Sequence, residues 1–223
     1  MKPWELLDTT IVPGTNDELS LQRRDDEFSI RVGYRELMSS RLHGSEDALA
    51  ELSCARLSCA SPKLLIGGLG MGFTLAAALK YAGDKAKIDV AELVPAVVLW
   101  NRGPLGEHAG YPLKDVRVTV YEQDVAKIIK RHQKSYDAIL LDVDNGPEGL
   151  TRKKNDWLYS FDGLNAAYAA LRPKGVLAVW SAGPDQKFTQ RLIKVGFKVN
   201  EQRVHAHGSK GTRHIIWFAT RSD

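Results

Sequence analysis

The chain has 223 residues, of which 43% are hydrophobic and 26% charged, enough for one sizeable core and a soluble surface. This composition excludes disordered, collagen-like and low-complexity classes, and no apolar run approaches the ~20 residues of a membrane span. The N-terminus lacks the apolar stretch of a signal peptide, so a cytoplasmic protein is expected. A net charge of +4 fits an anionic small molecule as well as nucleic acid and decides neither; a small-molecule partner is expected, and nucleic acid is not.

The first forty or so residues read as β-structure. Leu19 and Leu21, then Phe28, Ile30 and Val32, alternate with polar neighbours at the two-residue period of half-buried strands. Turns are expected at 13–17 and 25–26. The run Gly44-Ser45-Glu46-Asp47 opens a helix, with Ser45 as its expected cap and the two acids at its positive end. Cys54 and Cys59 fall in this helical pattern and read as buried free thiols, neither a disulfide framework nor a metal site.

From Pro62 strands and helices alternate. Strands are expected at 63–67, 88–92, 116–121, 136–142 and 176–180, with helices at 73–81, 94–101, 125–131, 157–171 and 186–195 between and after them. Two final strands, 197–204 and 213–220, read as an antiparallel hairpin at a sheet edge. The fold class expected is therefore α/β, a doubly wound, mostly parallel seven-stranded sheet with a small N-terminal β-meander. Its expected boundaries are 1–44 for the β-region and 45–223 for the Rossmann-like domain.

Strand 63–67 runs into Gly67-Gly68-Leu69-Gly70-Met71-Gly72, a glycine-rich turn that opens a helix. Such a turn lets the backbone approach a ligand, and tight packing alone would also account for it. The following strand ends in Glu92, an acid at the position that takes two ribose hydroxyls in dinucleotide-binding folds. Asp124 follows the third strand, where helix capping also accounts for it, and Asp142 ends the fourth, with Asp144 two residues on. An open α/β sheet binds its ligand outside these strand ends.

In this order the Gly-x-Gly-x-Gly turn, Glu92, Asp124 and Asp142 resemble the class I S-adenosylmethionine-dependent methyltransferase superfamily. Within it, the stretch from Arg35 to Glu46 and the strand Tyr136-Asp137-Ala138-Ile139-Leu140-Leu141-Asp142 are similar to spermidine synthases. The resemblance implies that Gly68, Gly70, Met71 and Gly72 lie along the methionyl portion of S-adenosyl-L-methionine or its decarboxylated form. It implies that Glu92 holds the ribose, that Asp124 faces the adenine, and that Asp142 faces the transferring carbon and the acceptor. Asp144 is the alternative carboxylate for that last role.

The chain departs from the spermidine-synthase pattern at Met71, where that family carries an aspartate, and at Asp142-Val143-Asp144-Asn145-Gly146-Pro147, where it reads Asp-Ser-Ser-Asp-Pro. The basic run Thr151-Arg152-Lys153-Lys154 would repel a polycation. These departures favour methyl transfer to a nitrogen of a small molecule that carries an anionic group, with aminopropyl transfer from the decarboxylated donor as the alternative. A nicotinamide-dependent oxidoreductase and a non-catalytic nucleotide-binding module stand further back. A homodimer is compatible with all of these. Trp157, Tyr159 and Trp180 read as core aromatics or as walls of an acceptor site, and His43 as a loop residue near the cofactor mouth. His205 and His207 read as a polar loop, since no third metal ligand lies nearby.

Overall fold

The structure is a computed structural model that describes residues 2–143, 156–207 and 210–223. Two sheets make up the architecture. The first is an antiparallel meander of β1 (Glu5–Ile11), β2 (Glu18–Arg24), β3 (Glu27–Val32) and β4 (Arg35–Ser39), in that order. Helix α1 (Gly44–Cys54) leads from it into the second sheet.

The second sheet contains β5 (Lys63–Gly67), β6 (Lys87–Ala91), β7 (Val118–Tyr121), β8 (Tyr136–Leu141), β9 (Leu171–Ser181), β10 (Phe197–His207) and β11 (Lys210–Arg221). Their spatial order is β10-β11-β9-β8-β5-β6-β7, with β5 to β9 parallel and β11 antiparallel to both its neighbours. Helices α2 (Phe73–Tyr81), α3 (Pro95–Arg102), α4 (Val125–Arg131), α5 (Asp156–Tyr159), α6 (Phe161–Ala170) and α7 (Gln186–Val195) connect the strands.

The apolar runs of the central strands are continuous because both faces are covered. Leu64, Ile66, Ala138 and Leu140 point into one core, shared with α2, α3 and the N-terminal sheet residues Leu19, Leu21, Phe28 and Ile30. Their chain neighbours Leu65, Ile139 and Leu141 point into the other, shared with Ile128, Leu164 and Phe188 of the opposite helices. The N-terminal sheet is tied down further by Trp100, whose indole N–H donates to Asp8 at 2.7 Å.

Three expectations need correction. The helix expected over 157–171 is two helices, interrupted at Ser160, whose hydroxyl accepts from the Gly163 amide and caps α6. Ser45 does not cap α1: the helix starts at Gly44, and the Ser45 hydroxyl donates to Glu46 at 2.6 Å. Cys54 is buried as expected, but Cys59 lies beyond the helix and is exposed.

Candidate active site

Strand order reverses between β5, which leads on to β6 and β7, and β8, which leads on to β9. This is the topological switch point at which open α/β sheets form their ligand crevice. A cleft of about 1110 Å³, its solvent-facing mouth included, opens there. Its floor is the strand-end edge of the large sheet, and its roof is the N-terminal sheet, which contributes Leu19, Ile30, Val32 and Met38, with Val12 from the β1–β2 connection. Five of the expected site residues line it: Gly68, Gly70, Glu92, Asp124 and Asp142.

The glycine turn is shaped by close neighbours. Gly68 has φ +90°, and a Cβ there would strike the Asp142 carbonyl oxygen of the adjoining strand end. At Gly70, φ +52°, a Cβ would meet the Met38 thioether. Asn101, 1% exposed on α3, fixes the turn by donating from Nδ2 to the Gly70 carbonyl at 2.8 Å. Gly72 and Met71 are not among the cleft-lining residues: Gly72 is the N-cap of α2, and Met71 is buried.

Glu92 follows β6 and is 8% exposed. One carboxylate oxygen accepts from the Leu69 amide at 2.9 Å, the other from the Val94 amide at 2.8 Å. Burial raises its pKa, and these amide bonds work in the opposite direction. The side chain is thereby held still between the glycine turn and the start of α3. A fixed carboxylate with lone pairs to spare fits a vicinal diol, and the turn beside it leaves backbone space for a ligand. Asp124 caps α4 by accepting from the Ala126 amide at 2.8 Å, and it lines the cleft as well.

Asp142 lies just past β8 and accepts a 2.6 Å hydrogen bond from the Thr74 hydroxyl of α2. A smaller cavity adjoins the cleft at Met38, Gly70 and Asp142, and it is also lined by Met71, Thr74 and Glu46. Burial pushes the Asp142 carboxyl up to about 6. Burial, and secondarily the charge of Asp142, pushes Glu46 up to about 7. Two carboxyls in one such pocket titrate closer to neutral pH than ordinary carboxyls, and each can accept a proton or pair with a cation once ionised.

Thr74, Asn101, Gln123 and Glu46 are site residues that the sequence pattern did not single out. Asp144 and the basic run 151–154 lie outside the described residues. The three aromatics do not line the cleft: Tyr159 is buried edge-to-face on Phe188, Trp157 lies under Lys130, and Trp180 tilts against His214. His43 stacks on Phe73 at 4.1 Å and pairs with Asp47 at 2.8 Å. His205 belongs to β10 rather than to a loop, and the side chain of His207 lies outside the described residues. Among the described residues, no group of three or more His, Cys, Asp or Glu side chains is arranged to hold a metal. No helix among them is long and apolar enough to cross a membrane.

Comparison with known proteins gives consistent likenesses. An uncharacterized protein of Methanocaldococcus jannaschii, MJ0670, is 24% identical over 219 residues, covering 89% of this chain and 57% of that protein. A polyamine aminopropyltransferase of Prochlorococcus marinus is 31% identical over 123 residues, covering 55% of this chain and 41% of that protein. The chain thus spans about half the length of these curated relatives. The crystal structure of spermidine synthase from Thermotoga maritima superimposes with a TM-score of 0.77 at 18% identity, covering 97% of this chain and 73% of that one. That superposition shows the α/β fold with its N-terminal sheet.

These likenesses overturn the expectation of methyl transfer, which had rested on Met71 and the altered loop after Asp142. The family model for the spermine/spermidine synthase domain matches residues 48–200, more than half of the chain, and the chain belongs to that family.

Proposed function

We propose that this protein transfers an aminopropyl group from decarboxylated S-adenosylmethionine to the amine of a small molecule. The reading is carried by one observation: a family member's strand ends bring Gly68, Glu92, Asp124 and Asp142 around a single cleft. In it Glu92 takes the ribose diol, Asp124 faces the adenine, and the donor chain runs past the glycine turn toward Asp142. The sulfonium supplies the driving force, since its C–S bond breaks to release neutral methylthioadenosine. The acceptor nitrogen attacks the methylene beside sulfur, forming the new C–N bond and shedding one proton. Asp142, steadied by Thr74 at 2.6 Å, takes that proton or orients the amine lone pair.

The acceptor is proposed as an amine. The expectation that it also carries an anionic group rests on Arg152, Lys153 and Lys154, which lie outside the described residues. Incubation with decarboxylated S-adenosylmethionine and either putrescine or spermidine, with methylthioadenosine and the aminopropylated product measured together, tests the reaction. Formation of both in equal amounts is expected. Absence of an aminopropylated product across a panel of amines overturns the proposal.

A further inference from the structure

The smaller cavity, about 270 Å³ with its open mouth included, is lined by one more carboxyl than the reaction chemistry at Asp142 requires. Glu46 enters it from the first turn of α1, opposite Asp142, while the rest of the lining is neutral: Met38, Gly70, Met71 and Thr74 among others. Among the described residues, no lysine, arginine or histidine lines it. The groups that face Glu46 are Asp142 from the end of β8 and Asp47 on its own helix, the latter paired with His43 at 2.8 Å. Strand β4 and helix α2 present no titratable side chain to the cavity among the described residues.

Two carboxyls line this pocket, Glu46 accepting from the Ser45 hydroxyl and Asp142 from that of Thr74, each at 2.6 Å. With no basic side chain in the described lining, both ionise at low cost only when a cation enters. A primary ammonium has three donors and a positive charge, and it can pair with both. The cavity lies against the glycine turn, on the path a donor chain follows from Glu92 and Gly68. A parent donor would bring its own carboxylate to the same place, against two like charges.

Resting on the aminopropyl-transfer reading above, we infer that Glu46, paired with Asp142 across this cavity, is the specificity-determining residue that receives the donor's terminal ammonium. It excludes the α-carboxylate of S-adenosylmethionine. Met71 contributes no charge from the turn, so the selection is made from α1.

Calorimetric titration of the full chain with decarboxylated S-adenosylmethionine, S-adenosylmethionine and methylthioadenosine tests the assignment, because methylthioadenosine keeps the nucleoside and lacks the amine. The wild type is expected to bind the decarboxylated donor more tightly than the parent. Glu46→Gln is expected to weaken the decarboxylated donor roughly 10- to 100-fold, the range for losing a charged hydrogen bond. Methylthioadenosine should stay within about twofold, and the parent donor should bind no worse. If the wild type prefers the decarboxylated donor and Glu46→Gln leaves it unchanged, or weakens all three ligands equally, the inference fails and the transfer reading stands. A wild type that prefers the parent donor overturns the transfer reading itself. Should Glu46→Gln not fold, the wild type still decides: titration near pH 6 in buffers of different ionisation enthalpy should show proton release with the decarboxylated donor and none with methylthioadenosine. Equal release with both overturns the assignment.

Discussion

Three glycines at positive φ with different surroundings, two of them of similar backbone strain, allow the cost of the glycine turn to be isolated. Gly33, φ +55°, has nothing within 4 Å of where a methyl group would sit, so Gly33→Ala measures left-handed strain alone. That strain is about 1–2 kcal/mol, partly offset by about 0.4–1 kcal/mol from the stiffer unfolded chain, leaving a net loss near ~1 kcal/mol. Gly70→Ala, φ +52°, adds a contact with Met38 Sδ at 2.8 Å, the far end of a flexible side chain. Its cost should rise only to about 2 kcal/mol, and Met38→Ala should return it to the Gly33 value. Gly68→Ala is different. Its φ of +90° lies outside the left-handed well, and its methyl would strike the backbone carbonyl of Asp142. Relief requires β5 and β8 to part where the Asp142 amide donates to the Gly67 carbonyl at 2.9 Å. Overpacking of about 1–3 kcal/mol and the loss of that bond at about 1 kcal/mol bring the expected cost to roughly 3–5 kcal/mol. Urea unfolding of the three variants measures the series. A Gly68→Ala loss within about 1 kcal/mol of Gly33→Ala would refute the close approach of the two strand ends.

Asp142→Asn should lower the rate of methylthioadenosine release by about 10²-fold while leaving methylthioadenosine affinity near wild type, and an unchanged rate removes Asp142 from the chemistry. The raised carboxyls also couple folding to pH. Glu46 and Asp142 hold protons in the folded state at pH values where the unfolded chain has released them, so their contribution is complete below about pH 4 and is lost as pH rises through 6–7. The rise of Glu46 from 4.5 to about 7 is equivalent to at most roughly 3 kcal/mol. Urea unfolding of the ligand-free protein from about pH 5 to 8 should therefore show a steeper loss of stability in the wild type than in Glu46→Gln. Parallel pH profiles would mean that Glu46 is not titrating in this range.

The parallel sheet was legible because buried strands such as 64–66 and 138–141 are short apolar runs ended by glycine or acid, a pattern few other structures produce. Glu92 and Asp142 were legible for the same reason, since the end of a strand fixes where its next side chain lies. Glu46 was not. An acid in the first turn of a helix has a sufficient local explanation in the helix dipole, and only the packing of α1 against α2 and β8 brings it to the cavity that Asp142 also lines. Thr74 and Asn101 are ordinary helix residues whose partners, Asp142 and Gly70, are distant in sequence. The break at Ser160 was hidden because apolar spacing continues across it, while a serine hydroxyl capping Gly163 leaves no periodic mark. Met71 misled by position: its side chain fits the role of a neutral wall, and the charge at that cavity arrives from another element.

The place of β11 between β9 and β10 has a consequence for how the chain is made. Both flanking strands precede it, and among the described residues β10 pairs with no other strand of the sheet. A nascent chain that has completed β10 therefore presents an open edge on β9 and carries a strand with nowhere to dock. The buried ring of Trp217, at the centre of β11, is absent from its core until that moment. The strand is a keystone set after the stones on either side of it, and a ribosome that stalled before reaching it would release a chain primed to pair with its neighbours instead of itself.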